Sequence, residues 1–521
     1  MLQALMTTRR RILVLLACCL VGVAVPLGLG LSYGQRLSSA EGFYAVAVAD
    51  SVAATPELHR PRRATLVVFD GLGHEEARGM RSLARLAEAG QCRLTDVGAL
   101  SVSRPVYTAL STGLDADRAG VRGNDDPGPV AAESVWEVAR EAGLVVTGVS
   151  ELKWWQELFP TGFDVYDVLD RTVNYFASVQ AGDLQLIHPL YIDEAGHDAG
   201  AASPRYGEAV ARADRELEAF LAGVDLTRDL VVVTADHGHS LRGGHGGQQE
   251  RIARVLTCYA GVGVRHDPAP GPLRTTTIAP SLALLLGLRF PANMRAGDDD
   301  LGALWDIVDP SALPPDYLAG RWRSVARFRS ENAAEVQRWL PETVGSWDRF
   351  HAEQRLQQLR AASPLLALLV LVLGLQAAAH RRLAAGGGLF GLLFVIAIYA
   401  VTYGLQVGLH GSFDITSIAH RREFIGFTLA LGLFWGAGAM LAHLLVRRSL
   451  DGLLLDIAAT SLVGTVLCLA HPAALGWKVG FPVPAPELVF FPYFAALFLA
   501  AFNGVGMLVC AIGWRLQRDG R

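Results

Sequence analysis

The chain has 521 residues, too many for one ordinary hydrophobic core, and predicts about two to four structural units. Its 51% hydrophobic content and mean hydropathy of +0.30 are high for a soluble protein, and charged residues crowd the middle while roughly the last 150 positions hold few. A formal charge of -4 and a pI near 6.4 exclude a polybasic character, so nucleic acid is not an implied partner, and six cysteines exclude a disulfide scaffold. Cys18, Cys19, Cys468 and Cys510 lie in apolar stretches. Only Cys92 and Cys258 remain, either paired in an oxidising compartment or kept as two buried thiols.

After Arg9-Arg10-Arg11 the run from Ile12 to about Tyr33 is long enough to cross a bilayer. It exceeds a normal signal-peptide core and has no clear small-x-small site before Gln35, which favours a retained anchor over a cleaved leader. Three arginines before the span against Arg36 after it put the N-terminus in the cytoplasm and the following domain outside.

A polar lead-in reaches about residue 62, and Ala64 to Asp70 then reads as an apolar strand ending in a carboxylate and the glycine turn Gly71-Leu72-Gly73. Alanines and leucines around Ser82 to Ala89 have helical spacing. Pro105 suits the first turn of a helix running to Thr112, with Ser103 at or near its N-cap, and a plain cap is the commoner role of an isolated Ser-x-Pro. Ser134 to Ala142 reads as a helix, Leu144 to Ser150 and Asp183 to His188 as strands, and Ser203 as the cap of an amphipathic helix to about Leu221. Leu230 to Thr234 is a further strand, β-branched and apolar, ending in Asp236-His237-Gly238-His239 and turning through Gly243-Gly244-His245-Gly246-Gly247. Strands alternating with helices predict an α/β domain with a mostly parallel sheet and helices on both faces, its ligands at the carboxyl ends of the strands.

Trp322 to Arg360 is charged and reads as a helical linker. Five apolar spans follow, near 364–379, 386–409, 424–446, 453–475 and 488–514. With the soluble domain outside, Arg381-Arg382, Arg447-Arg448 and Arg515, Arg518 and Arg521 face the cytoplasm, and Arg421-Arg422 are the exception. The expected organisation is an anchor at 1–35, an extracytoplasmic domain at 36–300, a helical linker at 301–362 and an α-helical transmembrane domain of about five helices at 363–521, making an integral membrane protein of about six spans.

The domain collects Asp70, Asp193, Asp236, His197, His237, His245 and Ser103. They divide into Asp70, Ser103, Asp236 and His237 around one ion and Asp193, His197 and His245 around another. Carboxylate plus imidazole without thiolate suits Zn²⁺, with Mn²⁺ or Fe²⁺ left open. A pair of divalent ions serves both the attacking and the departing oxygen of an in-line displacement, and a metal-bound Ser103 becomes a nucleophile toward phosphorus.

These motifs, in this order, resemble the alkaline phosphatase superfamily, in the branch of the nucleotide pyrophosphatase/phosphodiesterases and GPI ethanolamine-phosphate transferases. The resemblance spans about Ala64 to Asn293, less than half the chain. Val67-Val68-Phe69-Asp70-Gly71 is similar to the first metal-ligand strand, and Ser103-Arg104-Pro105 with Ala109-Leu110-Ser111-Thr112-Gly113 to the nucleophile segment, where many members carry Thr. Asp193-x-x-Gly196-His197, Asp236-His237-Gly238 and Gly243 to Gly247 match later motifs, and Pro280 to Gly287 with Pro291 resembles the segment after the core. The resemblance implies an alkaline phosphatase-like fold, two metal ions and a phosphodiester substrate, with a lipid headgroup such as phosphoethanolamine as one candidate. By spacing it implies that Asn124 donates to a phosphoryl oxygen, the other reading being a turn residue. His239 and Asp198 read as hydrogen-bonding support for the ligands, and His74 and His188 as structural.

The leading expectation is a membrane-anchored phosphohydrolase or phosphotransferase working through phospho-Ser103. A headgroup transferase to a lipid or glycan acceptor is the narrower version. A sulfatase of the formylglycine type needs Arg where Tyr107 stands. A non-catalytic binding domain on a membrane scaffold or transporter is the remaining alternative, and Asp456, His443 and His471 are the few ionisable residues in the C-terminal spans that a pathway could use.

Overall fold

The computed structural model describes residues 60–291 apart from 99, 125–127, 242, 248 and 267–270, then 304, 306–309 and 311, and scattered positions near the ends (20, 23, 24, 27, 28, 31, 429, 432, 433, 497, 500, 501, 503–513, 515 and 516). The expected spans and the 301–362 linker lie almost wholly outside the described residues. Among those described, no helix is long and apolar enough to cross a membrane.

In chain order the elements are β1 (Ala64–Phe69), α1 (His74–Ala77), α2 (Arg81–Ala89), β2 (Gly90–Asp96), α3 (Ser103–Thr112), α4 (Ala116–Ala119) and α5 (Val135–Glu141). There follow β3 (Val146–Ser150), α6 (Trp154–Leu158), β4 (Val165–Val168), α7 (Tyr175–Ser178), β5 (Leu184–His188), α8 (Tyr191–Ala199), α9 (Pro204–Leu221) and β6 (Leu230–Ala235). The last are α10 (Glu250–Ala253), β7 (Arg254–Gly261), β8 (Leu273–Arg274) and α11 (Ile278–Leu285).

The strands form one eight-stranded sheet in the order β4-β3-β5-β1-β6-β7-β2-β8. Every neighbouring pair is parallel except β6 with β7 and β7 with β2, so β7 alone runs against the rest. In β1, β3, β5 and β6 every residue is buried, which requires cover on both faces. The helices supply it in two groups: α9 packs on α1, α2, α7 and α8, while α3 packs on α4, α5, α6 and α11.

Local chemistry accounts for the expected elements. Ser134 and Glu137 form a reciprocal capping box at α5, and Ser203 accepts from the Tyr206 N–H with Pro204 in the first turn of α9. The structure differs in three places. β2, β4, β7 and β8 were not expected; β2 reads Gly-Gln-Cys-Arg-Leu-Thr-Asp and is held by its register with β7 rather than by an apolar run. That register puts Cys92 opposite Cys258, and the two form a disulfide with Cα atoms 4.0 Å apart, which decides between the two cysteine readings. Finally, buried Leu304, Ile307 and Val308 return to the sheet domain through an Arg265 N–H to Ile307 carbonyl bond and a Val264–Val308 bridge, so the packed unit continues past residue 300.

Candidate active site

β5, β1 and β6 lie side by side and parallel, so their carboxyl ends share one edge. Phe69 pairs with Ala235, which brings the next residues, Asp70 and Asp236, together. β2 runs the same way two places beyond β6, and the chain leaving it enters α3 at the same edge. Ser103 is the first residue of α3 and does not cap it: the N-cap is Val102, without a side-chain bond. The serine Oγ lies instead 3.3 Å from His237 Nε2, and Ser103 is buried.

Four groups converge here. Asp236 Oδ1 accepts from the Gly71 and His237 N–H groups, and its buried Oδ2 has no hydrogen bond. Asp70 Oδ2 accepts from the Tyr107 hydroxyl, and its buried Oδ1 has none either. His237 Nδ1–H donates to the Gly238 carbonyl, so in the neutral ring Nε2 presents a lone pair, 3.2 Å from Asp236 Oδ2 and 3.5 Å from Asp70 Oδ1. Lone pairs turned toward one another in a dry site repel unless a cation lies among them. Asp70, Asp236 and His237 can thus hold one metal ion, with Ser103 beside it.

The second group stands on α8, a helix where a motif-bearing loop would equally fit the sequence. Asp193 and His197 are one turn apart, Asp193 Oδ2 lying 3.5 Å from His197 Nε2. His245 Nε2 lies 3.2 Å from His197 Nε2 and 3.7 Å from Asp193 Oδ1, and its Nδ1–H donates to the Ser101 carbonyl. The loop carrying it has positive φ at Gly243, Gly244 and Gly246, a conformation that side chains rarely adopt. Ser101 Oγ donates to the Gly247 carbonyl and accepts from the Gly246 N–H, tying this loop to the segment before the serine. The His237 and His245 rings stack at 3.6 Å, so the two groups are contiguous.

His239 is also within ligand reach of Asp193 and His197. Its Nδ1 accepts from the Gly244 N–H, so the neutral ring carries its proton on Nε2 and donates it to Asp193 Oδ1 at 2.7 Å. It therefore orients the Asp193 carboxylate. Asp198 does not: it is exposed and pairs with Arg205 at 2.8 Å. His74 is structural, with Nδ1 against the Arg254 carbonyl. His188, expected to be structural, instead lies with Nε2 3.2 Å from Asp70 Oδ2. Asn124 is buried beside the serine, its Oδ1 accepting from the Arg104 N–H, which leaves the NH₂ end as the donor.

Electrostatics agree with the geometry. Burial and the neighbouring charge of Asp70 raise Asp193 to about 7 and push Asp236 well above the usual carboxylate range. Burial raises Asp70 as well, but His188, His237 and Tyr107 outweigh it and hold that carboxyl at about 2. Burial lowers His237 and His239 to about 4 and His245 well below its ordinary value, keeping the rings neutral, so that His237 and His245 present lone pairs on Nε2.

A sheet edge bearing two contiguous carboxylate–imidazole groups and a buried serine at a helix start can hold two cations beside a hydroxyl, an arrangement able to act on a phosphoester. Residues 164–242 match the family Type I phosphodiesterase / nucleotide pyrophosphatase. The chain is homologous to human GPI ethanolamine phosphate transferase 2, catalytic subunit, with 25% identity over 279 residues, covering 48% of this chain and 26% of the relative. The human GPI ethanolamine phosphate transferase 3 catalytic subunit is 26% identical over 156 residues, 26% of this chain and 14% of that one. The chain thus spans about a quarter or less of the length of these curated relatives. Among solved structures, murine ectonucleotide pyrophosphatase / phosphodiesterase 5, an inactive variant in complex with AMP, aligns with a TM-score of 0.40 and 14% identity, covering 48% of this chain and 100% of that one.

Proposed function

We propose that the chain is a membrane-anchored enzyme, its domain on the extracytoplasmic side, that cleaves or transfers phosphodiesters through a phospho-Ser103 intermediate. The observation that carries this reading is the convergence of Ser103 Oγ, His237 Nε2 and the two unsatisfied carboxylate oxygens of Asp70 and Asp236. Two divalent ions, Zn²⁺ first and Mn²⁺ as the alternative, fit Asp70, Ser103, Asp236 and His237 and, beside them, Asp193, His197 and His245; bound there they supply the charge that lowers a hydroxyl's pKa and offsets developing negative charge.

Ser103 gives its proton to water and its Oγ bonds to phosphorus while the bond to the leaving alkoxide breaks in line, the alkoxide taking a proton from water. The Asn124 NH₂ donates to a non-bridging phosphoryl oxygen. Water then resolves the intermediate in a hydrolase and an alcohol does so in a transferase. The similarity to GPI ethanolamine phosphate transferases favours the transferase, with a phosphoethanolamine headgroup passed to a lipid or glycan acceptor. The Cys92–Cys258 disulfide supports an oxidising compartment, and the apolar runs at 1–35 and 363–521 support the membrane anchor.

The test is mass spectrometry of the full chain after brief incubation with phosphodiesters and Zn²⁺, wild type beside Ser103→Ala. An adduct on Ser103, absent from the variant, supports the proposal, and its mass identifies the half of the diester carried. Absence of both adduct and turnover with Zn²⁺ or Mn²⁺ loaded sinks it.

A further inference from the structure

Tyr107 and His188 were not assigned to the chemistry by the sequence, yet both touch the carboxylate that opens the first ligand group. Tyr107 is one helical turn beyond Ser103 on α3, so the two project from the same face. Ser103 meets His237, and Tyr107 donates its hydroxyl proton to Asp70 Oδ2. From β5, His188 places Nε2 3.2 Å from the same oxygen, an ion-pair contact without an aligned hydrogen bond. Facing a carboxylate oxygen, the neutral His188 ring carries its proton on Nε2, and Nδ1 then accepts from the Ser150 hydroxyl 2.7 Å away, itself bonded by the Leu152 N–H. All three side chains are fully buried.

The rings are held as well as the polar atoms. Tyr107 stacks on Trp155 of α6 at 4.4 Å between centroids, and His188 meets both rings edge-on, at 4.9 and 5.5 Å. Neither Tyr107 nor His188 can turn away without disturbing this packing.

We infer that Tyr107 and His188 form a clamp on Asp70 that occupies Oδ2, aims Oδ1 at a divalent cation shared with Asp236 and His237, and ties the helix bearing Ser103 to that ligand. They are positioning residues. The inference rests on the two-metal reading and deepens it: one helix face carries both the nucleophile and a bond that fixes the metal ligand, so cation binding and serine placement are coupled through Tyr107.

The test is Zn²⁺ affinity and stoichiometry of the full chain in detergent, by competition with a chromophoric chelator, for wild type, Tyr107→Phe, His188→Gln, His188→Leu and Trp155→Phe. Tyr107→Phe keeps the stacked ring and loses only the donor, and weakens one of two ions by about 10- to 100-fold, the usual effect of removing a hydrogen bond to a ligand. His188→Leu does the same, while His188→Gln, whose amide can still donate to Oδ2, recovers part of the loss. Trp155→Phe loosens the packing without touching Asp70; it lowers the melting temperature and leaves Zn²⁺ affinity within about threefold. Wild-type affinity in folded Tyr107→Phe and His188→Leu overturns the clamp, as does a Trp155→Phe loss equal to theirs, which marks a packing effect. A wild type that binds neither Zn²⁺ nor Mn²⁺ overturns the two-metal reading itself.

Discussion

Gly196 sits in the middle of α8, where helix propensity alone favours alanine by about 1 kcal/mol. A Cβ there would lie 2.4–2.5 Å from three atoms of the His239 ring, closer than any real contact. The ring cannot swing aside freely: Gly244 N–H holds Nδ1, Asp193 Oδ1 holds Nε2, and the side chain is fully buried. Gly196→Ala must therefore displace the ring, with overpacking of about 1–3 kcal/mol. Losing the bond to Asp193, whose carboxyl burial raises to about 7, adds about 0.5–1.5 kcal/mol. Set against the helix gain, the net loss is about 0.5–3.5 kcal/mol, and at about 2–4 °C per kcal/mol for a domain of this size the melting temperature falls by about 1–14 °C. Calorimetry of the metal-free protein measures this, and Zn²⁺ titration of the same sample should show weaker binding as Asp193 loses its support. A variant that melts at or above wild type would show that the ring has room, and would refute the claim that His239 is locked between α8 and the glycine loop.

Asn124→Ala should lower kcat by about 100-fold or more with little change in KM, measured in steady-state phosphodiester turnover, because the donor acts on charge that grows in the transition state. Asp198→Asn should leave activity and Zn²⁺ affinity within about twofold, since its partner Arg205 is a surface residue and exposed pairs contribute about 0–1 kcal/mol. Cys92→Ser with Cys258→Ser should cost about 2–5 kcal/mol in chemical denaturation, and the wild type under reducing conditions should approach the double variant. Exhaustive chelation should abolish turnover, with activity returning on addition of Zn²⁺ or Mn²⁺.

The candidate metal-holding residues Asp70, Asp236, His237 and His245 were legible because each follows an abrupt change of chemistry: an apolar strand ending in Asp70 or Asp236-His237, or a glycine loop enclosing His245. The role of His188 was not, since it depends on β5 lying beside β1 more than a hundred residues earlier in sequence, and periodicity carries no record of strand order. β2 escaped for a related reason. Its polar residues find partners far away in sequence, Gln91 at the Arg265 carbonyl, Arg93 at the Gly271 carbonyl and Thr95 at Thr257, so the strand does not read as apolar by itself. Asp198 was misjudged for want of a helix: once Tyr191–Ala199 is helical, the residue after His197 points about 100° away from the ligand face and into solvent.

What most separates ligand from support is the bond each imidazole makes with its other nitrogen. His237 and His245 both donate Nδ1–H to backbone carbonyls, of Gly238 and Ser101, and each neutral ring keeps a lone pair on the Nε2 that faces the carboxylates. His239 accepts a backbone N–H at the same nitrogen, from Gly244, and so turns a proton rather than a lone pair toward Asp193. Gly244 precedes His245, so one loop both fixes the tautomer of the supporting histidine and delivers the ligating one. Two histidines six residues apart, both buried and both turning Nε2 toward Asp193 Oδ1, present opposite polarity to it because of the backbone group each meets at Nδ1. The same rule makes Ser101 a determinant of the site: its carbonyl sets the His245 tautomer, while its hydroxyl pins the loop two residues before the nucleophile.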